Sequence, residues 1–481
     1  MKTAIVWFRR DLRTADNPAL CKALERCERV IPLYIHSPDE EAPWQPGEAS
    51  NWWLHHSLQS LDHDLRRLGS KLIVRQGSSK QILESLAHQS GAEEIHWNRL
   101  YEPAVIARDS AIKSHLRAAG FHCQSHNAAL LFEPWEILTK TATPYKVFTA
   151  FWKACQAKRH IPQPCPAPAA LPPVDLSLNE AGIDNLELLP KIPWHGKLSA
   201  YWKPGEASAQ NTLMLFIREG IHSYECDRDI PEKPGTSRLS PHLHFGEIGP
   251  RQIQWALFHN LHDDWMKQEP NLFRFLAEIG WREFAHHLLY HFPHTTEQPL
   301  NRRFQWMTWD NSDQAMLNLE SWKQGKTGIP IVDAGMRELW ETGMMHNRVR
   351  MIVASLLCKN LAIHWHQGAR WFWNTLLDAD LASNTLGWQW TAGSGADAAP
   401  YFRIFNPVRQ GERFDPQGIY IRRWIPELAH LANRHIHAPW LSDMAADYPD
   451  PIVDLNVSRK QALERWDILR AIPPAAITPE A

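Results

Sequence analysis

The sequence predicts an α/β protein: a doubly wound parallel sheet at the N-terminus, a long linker and an all-helical C-terminal domain. Short apolar runs alternate with helical patterns as far as residue 130, as in a parallel sheet. A proline-dense run at 161–175 follows, and helical periodicity dominates from residue 206. Because a chain of 481 residues is too long for one compact hydrophobic core, we expect domains at 1–130 and 206–471, joined by a linker at 131–205.

The first domain is expected to be a Rossmann-like sheet. Apolar runs predict strands at 3–8, 30–35, 71–75 and 94–97. The triplet Asp16-Asn17-Pro18 begins a first helix, and further helices are predicted at 52–68, 80–88 and 104–119. Ligands bind at the carboxyl ends of such strands, so the loops after Phe8 and Ile35 are candidate ligand loops. No G-x-G-x-x-G motif follows the first strand, so the usual dinucleotide fingerprint is absent.

The second domain shows its clearest helix from Trp281 to Phe292, where apolar residues recur three and four positions apart. Another helix is predicted at 333–341, with Asp333 as its N-cap and Gly343 as its stop signal, and a third at 346–361. The periodicity fades after about His430, and the segment 454–481 is polar with a proline-containing end.

Composition excludes several classes of protein. A net charge of −2 argues against a generally basic nucleic-acid-binding surface but is compatible with a local basic patch. No apolar run is long enough to span a membrane and no signal peptide is apparent, so we expect a cytoplasmic protein without a membrane partner. Seven scattered cysteines without a CxxC pair predict reduced thiols. The 24 tryptophans fit either large cores or the use of indoles for stacking or electron donation.

The stretch 365–407 is rich in groups that are costly to bury. It contains the acids Asp378 and Asp380, the amide Asn384 and five tryptophans, namely Trp365, Trp371, Trp373, Trp388 and Trp390. A buried carboxylate needs a cation or a proton, and Arg350 is the cation that we expect to supply it. Candidates for an electron path to an internal oxidant are Trp309, Trp365 and Trp388. Core packing alone explains their spacing equally well, and Trp371 and Trp373 have no predicted role beyond packing.

Three further stretches combine charged and polar residues. At 235–240, hydroxyl groups and an arginine precede a helix start, which predicts either an anion site or an N-cap beside an exposed arginine. Glu278 and Trp281 share a helix face, and a carboxyl group beside an indole in a cavity would stay neutral and donate a hydrogen bond. Alone, an exposed glutamate next to a core tryptophan explains this pair better. Asn347 and Arg350 share another face from which Arg348 points away, unless they form only a basic helix end.

Metal and hydrolase chemistry is not predicted. The histidines His286, His287 and His291 have helical spacing, but no H-E-x-x-H motif or third ligand is in register. We therefore interpret them as surface or hydrogen-bonded histidines. The sequence also contains no Ser-His-Asp elbow and no phosphate-binding P-loop.

Six motifs occur together along the chain, namely VWFRRDLR, TSRLSP, WREF, HNRVRM, DADLASNTLGWQW and FRIFNP. In this combination the chain resembles the photolyase/cryptochrome family over nearly its whole length. It looks most like the microbial cyclobutane pyrimidine dimer photolyases, and the closeness of DADLASNTLGWQW to plant cryptochromes favours the class III branch. The resemblance implies light-dependent DNA repair by a deoxyribodipyrimidine photo-lyase. The alternative is a cryptochrome-type blue-light photoreceptor with the same fold and FAD.

The resemblance implies a U-shaped FAD in the helical domain, held by Tyr224, Thr236, Ser237, Arg238, Leu239, Ser240, Phe275, Glu278, Arg282, Arg350, Asp378, Asp380 and Asn384. Arg350 and Asp378 look like the ion pair over the isoalloxazine ring, and Asn384 like the residue that faces flavin N5. The electron-transfer triad of the family is matched by Trp388, Trp365 and Trp309. Trp306 is the alternative outermost member, because the segment 306–322 is longer than usual.

The implied partner is UV-damaged DNA containing a pyrimidine dimer, which must leave the base stack to reach a pocket. The pocket or its rim is matched by Arg228, Trp281, Asn347, Arg348, Met351, Trp390, Arg403 and Gln410. Trp281 and Trp390 would form flat walls for the flipped bases. Glu278 and Asn384 are the implied catalytic residues, with Glu278 donating to a pyrimidine carbonyl. Phosphate contacts are expected from Arg228, Arg348, Arg403 and Arg409.

The family also carries an antenna chromophore. The class III resemblance predicts 5,10-methenyltetrahydrofolate, with 8-hydroxy-5-deazaflavin as the alternative. We expect it near the loops around Arg10 and residues 35–53. The protein is expected to act as a monomer in the cytoplasm, together with the nucleoid DNA.

Repair is favoured over signalling by three features of the sequence. Plant-type cryptochromes tend to have Asp in place of Asn384, to lack Trp281 and to carry a long signalling tail. The (6-4) photoproduct enzymes tend to have His in place of Asn347, so a cyclobutane dimer is the expected lesion. Two positions depart from the family, because its photolyases usually have Trp in place of Met344 and many have Trp in place of Phe275.

Overall fold

The N-terminal part is built on one parallel sheet. The computed structural model describes residues 2–158, 162–175, 177, 182–261, 265–442 and 447–473, and of 265–269 the backbone alone. The strands are β1 (Thr3–Phe8), β2 (Arg29–His36), β3 (Ile73–Gln76), β4 (Glu94–Asn98) and β5 (His122–His126). Their order is β3-β2-β1-β4-β5, and all neighbours are parallel. The order reverses between β1 and β4, so a crevice for a ligand is expected at their carboxyl ends.

Four helices cover the two faces of the sheet, namely α1 (Pro18–Arg26), α2 (Glu48–Arg67), α3 (Ser79–Ser90) and α4 (Pro103–Ala118). Alternate residues of β1 point to opposite sides, as the pleat of a strand requires. Val6 and Phe8 pack with α2, whereas Ile5 and Trp7 pack with α3 and α4. The four predicted strands and four predicted helices are confirmed, with ends shifted by up to four residues.

The edge strand β5 was not predicted. Its sequence is HCQSH, and Cys123 is its one fully buried residue. An edge strand is paired on one side only and needs fewer apolar residues, so it lacks the apolar run that identifies a central strand.

The remainder of the chain is helical. After α5 (Phe148–Ala157), which lies in the predicted linker, come α6 (Leu198–Tyr201), α7 (Glu206–Leu215), α8 (Tyr224–Asp227), α9 (Ser240–His244), α10 (Pro250–Asn260), α11 (Trp265–His291), α12 (Asp313–Lys323), α13 (Pro330–Thr342), α14 (Asn347–Ser355), α15 (Trp365–Thr375), α16 (Leu381–Ala392), α17 (Pro407–Phe414), α18 (Ile419–Trp424), α19 (Asn433–Ile436) and α20 (Leu455–Ala471). Two π-helical turns, Phe216–Gly220 and Leu356–Asn360, follow α7 and α14. Residues 162–175 have no regular secondary structure, as predicted, and residue 161 lies outside the described residues.

Two expectations for the helical part are corrected. Asp333 is not an N-cap: Ile329 holds that position, and the buried Asp333 carboxylate accepts the backbone N–H groups of Thr327 and Gly328. Burial raises the pKa of Asp333 to about 6. Gly343 does end α13, in the left-handed conformation (φ 67°) that glycine adopts easily. The segment predicted as a polar tail forms α20 up to Ala471, and residues 474–481 lie outside the described residues.

The prediction of reduced thiols is wrong for Cys21 and Cys165, which form a disulfide. Asp16 donates its backbone N–H to the Cys165 carbonyl at 2.8 Å, so the linker runs back over the start of α1. The two cysteines are 144 residues apart, and no spacing motif could reveal that contact. In the described part of the chain, no helix has the length and apolar character needed to cross a membrane.

Candidate active site

Two helices that pack against each other, α11 and α16, carry the proposed catalytic residues and both predicted pocket walls. Glu278 and Trp281 lie one turn apart on α11, and Asn384 and Trp390 lie on α16. Trp281 and Leu386 pack against the same buried cluster, which also contains Phe284. The Asn384 side-chain amide donates to the Ala369 carbonyl of α15 at 3.0 Å, and this bond holds it in one orientation.

The ion pair predicted between Arg350 and Asp378 is present. One guanidinium nitrogen of Arg350, Nη2, lies 3.0 Å from both carboxylate oxygens of Asp378. Its Nε donates to the Met345 carbonyl at 2.7 Å, which fixes the plane of the guanidinium. Both side chains are largely buried, so the pair presents two compensated charges to the interior.

Asp380 has different partners from Asp378. Its Oδ2 lies 3.4 Å from His286 Nε2 and 3.9 Å from His244 Nδ1, and its Oδ1 caps α16 by accepting the Ser383 N–H at 2.7 Å. Burial alone would raise the pKa of Asp380, but the two imidazoles lower it well below its ordinary range. Burial would lower the pKa of His286, yet Asp380 raises it. His286 is therefore a buried partner of an acid and not a surface histidine.

Glu278 has a cationic partner that the sequence did not reveal. The guanidinium of Arg228 donates to its Oε1 and forms an ion pair with it. Arg228 lies directly after α8, and its side chain also stacks near the ring of Tyr224, with Cζ 5.4 Å from the ring centroid.

The two tryptophans expected to form pocket walls each stack on another aromatic ring. Trp281 is parallel to Phe148 of α5, with centroids 3.8 Å apart and planes 9° apart. Trp390 stacks on Phe405 at 6.5 Å and 20°. Phe148 was missed by the sequence analysis. The spacing of Phe148, Phe151 and Trp152 carried the signal, since it is helical and apolar.

Among the other predicted DNA-binding residues, Arg348 is linked to Arg228 through Asp229. Arg348 pairs with Asp229, with Nη2 2.8 Å from Oδ2, and its guanidinium lies 4.5 Å from the ring centroid of Phe414. Met351 is within 3.9 Å of Arg348 through its sulfur. The remaining members are more open to solvent, with Asn347, Arg403 and Arg409 exposed and Gln410 half-buried. Asp229 was not singled out from the sequence.

The segment 235–240 offers hydroxyl groups and a guanidinium before α9. Thr236 and Ser237 are half-buried, Ser240 is exposed and Leu239 is buried. Arg238 has a left-handed backbone (φ 54°), donates to the Tyr201 carbonyl at 3.0 Å and lies over Trp202 at 4.1 Å. Because α9 has only five residues, its dipole is short, and the anion-binding character rests on the side chains.

Three further cofactor-binding candidates are well packed. Tyr224 and Phe275 are buried and meet edge to face, with centroids 5.3 Å apart. Burial raises the pKa of the Tyr224 hydroxyl above its usual range. Arg282 is half-buried and donates to the Ala129 carbonyl at 2.7 Å, so it ties α11 to the segment after β5.

The candidate electron path runs through one aromatic cluster. Trp388 and Trp365 belong to the same buried core, and Trp309 packs against it. His364 bridges the outer part, with its ring 5.6 Å from Trp365 and 5.0 Å from Trp309. A Cβ at Gly368 would lie 2.0 Å from the Trp388 ring, so only glycine permits this packing. Trp306 is 58% exposed.

A cleft lies at the carboxyl ends of β1 and β2, where both candidate ligand loops were predicted. We call it the sheet-edge cleft, and it is lined by Trp7, Arg10, Tyr34, His36, Arg108 and Trp373, among others. His244 and Phe245 contribute from the helical part, and His244 also contacts Asp380. Trp373 donates its indole N–H to the Gln45 carbonyl at 2.6 Å, so it does more than pack.

The sheet and the helical part both match known families. Residues 4–169 match the model of DNA photolyase, and residues 275–467 match the FAD-binding domain of DNA photolyase. A deoxyribodipyrimidine photo-lyase of Agrobacterium fabrum is 44% identical over 97% of this chain and 98% of its own length. The chain belongs to the DNA photolyase family.

Other relatives include both photolyases and cryptochromes. The crystal structure of a bacterial class III photolyase from Agrobacterium tumefaciens has a TM-score of 0.93 and 42% identity, and 98% of each chain is covered. Cryptochrome-1 of Arabidopsis thaliana is 38% identical over 98% of this chain and 72% of its own length. Sequence similarity alone therefore does not distinguish a photolyase from a cryptochrome for this photolyase-family protein.

The donor groups of this photolyase-family protein fit FAD. The hydroxyl groups of 236–240 and Arg238 suit a pyrophosphate, and the compensated Arg350–Asp378 pair suits the edge or face of a flat ring. A metal is not required by these contacts. Among the described residues, no group of three or more His, Cys, Asp or Glu side chains is placed to hold a metal ion. His287 and His291 instead donate to the Pro134 carbonyl.

Proposed function

We propose that this protein repairs UV-damaged DNA by splitting cyclobutane pyrimidine dimers under blue light. The observation that carries the proposal is the placement of Glu278 and Trp281 on α11 with Asn384 on α16, two helices that pack together. A carboxyl group and an indole face are the groups that a flipped pyrimidine pair needs for hydrogen bonding and stacking, and a fixed amide on the packed helix can face the flavin. The family membership supports the same reading.

In this proposal, FAD lies in the helical part. When bound in its reduced form and excited by light, FAD would supply an electron that opens the cyclobutane ring and then returns to the flavin. Thr236, Ser237 and Arg238 bind its phosphates, and Asn384 faces the flavin ring. Arg350 and Asp378 neutralise each other beside the ring, so neither charge must be compensated by the cofactor.

The lesion is bound by residues that are paired in the DNA-free protein. Arg228 holds Glu278, and Asp229 holds Arg348. A DNA phosphate is a strong acceptor for arginine and competes for both guanidinium groups. Once Arg228 turns to a phosphate, the carboxyl group of Glu278 beside Trp281 is free to form a hydrogen bond with the pyrimidine. Trp390 supplies the second stacking surface.

The path for photoreduction is proposed to run from Trp388 through Trp365 to Trp309. The cluster that joins these three indoles supports the path, because close aromatic contacts shorten each electron step. Trp309 is preferred over Trp306 as the outermost member. It packs against the core that holds the other two, whereas Trp306 is largely exposed to solvent.

The antenna is proposed to bind in the sheet-edge cleft, within an antenna domain at 1–130 that a linker at 131–205 joins to the catalytic domain at 206–471. Aromatic walls and the arginines Arg10 and Arg108 suit a flat chromophore with an anionic tail. We propose 5,10-methenyltetrahydrofolate, with 8-hydroxy-5-deazaflavin as the alternative. The absorbance spectrum of the purified holoprotein, followed by chromatography of the released chromophore, distinguishes the two.

Repair is tested directly with purified protein and chemically reduced FAD. An oligonucleotide carrying one cyclobutane dimer is illuminated with blue light, and the remaining dimer is measured by chromatography. Dimer should disappear in the light and persist in the dark, while an oligonucleotide with a (6-4) photoproduct stays unchanged. Persistence of the dimer after prolonged illumination would refute the repair function and favour the photoreceptor alternative. Size-exclusion chromatography of the same sample checks the expected monomer.

A further inference from the structure

Lys359 is a buried cation outside the site described so far. It lies in the π-helical turn Leu356–Asn360 after α14, and its side chain is 0% exposed. Burial lowers its pKa to about 8, because an ammonium group is poorly solvated there. A methionine or leucine would fill the same space without this cost. A lysine at this position therefore needs a compensating contact.

That contact comes from the loop between α16 and α17, residues 393–406. Lys359 Nζ donates to the Arg403 carbonyl at 2.9 Å and lies 5.3 Å from the ring centroid of Tyr401. Both of these contacts of the ammonium group lie on the 393–406 loop. Ser355, four residues earlier, adds a second link, because its Oγ accepts the Phe405 N–H at 3.2 Å. The 393–406 loop is thus held at its backbone.

The π-helical turn is itself anchored from the other side by α20. Arg465 donates to the Lys359 carbonyl at 2.6 Å, and Asn360 donates to Ser458 Oγ at 2.9 Å. A π-turn inserts one extra residue into a helix and is common at functional sites. Here it lets Lys359 point to the loop while Asn360 points to α20. The loop is therefore fixed to a rigid support and not to another loop.

The loop carries residues that the proposed function places at the rim of the lesion pocket. Arg403 is exposed directly beside the carbonyl that Lys359 holds, and Phe405 stacks on Trp390. We propose that Lys359 is a positioning residue for DNA binding, which fixes the backbone of Arg403 and so aims its guanidinium at a DNA phosphate. This inference rests on the proposed function, since it assumes that Arg403 contacts DNA.

The test compares Lys359→Met, Arg403→Ala and the double variant by fluorescence anisotropy with a dimer-containing oligonucleotide at several salt concentrations. Lys359→Met should weaken binding about fivefold. It should also lower the slope of log affinity against log salt concentration by up to about one, the value for one phosphate contact. Because Lys359 acts through Arg403, the double variant should bind no more weakly than Arg403→Ala alone. FAD absorbance and photoreduction should be unchanged. The surface variant Lys460→Met, whose side chain is 81% exposed, is the control.

Each outcome decides the inference. Wild-type affinity in Lys359→Met, or a double variant whose losses multiply in full, overturns the positioning role while leaving dimer repair intact. A wild-type protein that does not bind or repair dimer DNA overturns the proposed function and this inference with it. Should Lys359→Met fail to fold, Lys359→Gln replaces it in the same cycle. Its amide can donate a hydrogen bond without a charge, and it is expected to bind between wild type and Arg403→Ala.

Discussion

Arg228 and Glu278 form an ion pair in the DNA-free protein, although they are 50 residues apart in sequence. Arg228 is proposed to bind a DNA phosphate and Glu278 the lesion. In the DNA-free protein, the ion pair keeps both side chains from these partners. Asp229 extends this arrangement, because it lies 3.8 Å from Arg228 and 2.8 Å from Arg348. DNA must exchange these internal contacts for its own phosphates, which makes binding depend on salt and on the local arrangement of charges.

Replacing Glu278 with alanine should lower the repair rate constant at least tenfold while FAD stays bound. A hydrogen bond to a charged group contributes about 1.5–3 kcal/mol, and about 1.4 kcal/mol corresponds to a tenfold change in rate. Affinity for undamaged DNA should not fall, because Arg228 loses its internal partner. Repair under single-turnover illumination and the flavin absorbance measure both effects. The exposed Glu219→Ala is the control, and loss of FAD from Glu278→Ala would show that our role for Glu278 is wrong.

Trp388→Phe should slow photoreduction of the oxidised flavin at least tenfold and leave repair by chemically reduced FAD unchanged. Phenylalanine keeps the packing at Gly368 approximately but is much harder to oxidise than tryptophan. Photoreduction is followed by flavin absorbance under blue light. Trp309→Phe should also slow it, whereas Trp306→Phe should not. A slow Trp306→Phe variant beside a normal Trp309→Phe variant would reverse our choice of the outermost residue.

Asp378→Asn should weaken FAD binding about tenfold or more. The substitution leaves the Arg350 guanidinium without its anionic partner in a largely buried position, which is unfavourable for the bound state. Titration of apoprotein with FAD, followed by flavin fluorescence, gives the dissociation constant. Asp310→Asn, at an exposed position, is the matched control. Equal affinity in both variants would contradict the assignment of Asp378 to the flavin pocket.

Glu283 should make the stability of the fold depend on pH. Its buried carboxylate accepts the N–H groups of Leu131 and Phe132, but burial raises its pKa from 4.5 to about 7. A carboxyl group with a raised pKa contributes stability below its unfolded pKa and loses it as pH rises through the folded value. About 3 kcal/mol should therefore be lost between pH 4.5 and 8. Urea unfolding of Glu283→Gln, which cannot ionise there, should show a flatter pH profile, and parallel profiles would contradict this.

The sequence patterns predict the secondary structure well where they are local. The strands β1 to β4 follow from apolar runs, and Asn17 and Gly343 mark a helix start and a helix end, as predicted. The pairing of Arg350 with Asp378 was predictable because a buried acid needs a cation, and Arg350 of the HNRVRM motif was the candidate. The edge strand β5 was missed because a half-exposed strand needs few apolar residues, whereas α5 was missed although its apolar residues have helical spacing.

The sequence by itself determined the α/β class, the family and the residue types at the site, since these depend on periodicity and on short motifs. Apart from the Arg350–Asp378 pair, only the tertiary structure decided which distant residues of the site meet. The pairs Arg228–Glu278, Lys359–Arg403 and Cys21–Cys165 join residues 50, 44 and 144 positions apart. A side chain carries its charge in the sequence, but its partner is set by the path of the whole chain. The pairing of Glu278 with Arg228 in the DNA-free protein was therefore not predictable from its neighbours on the helix.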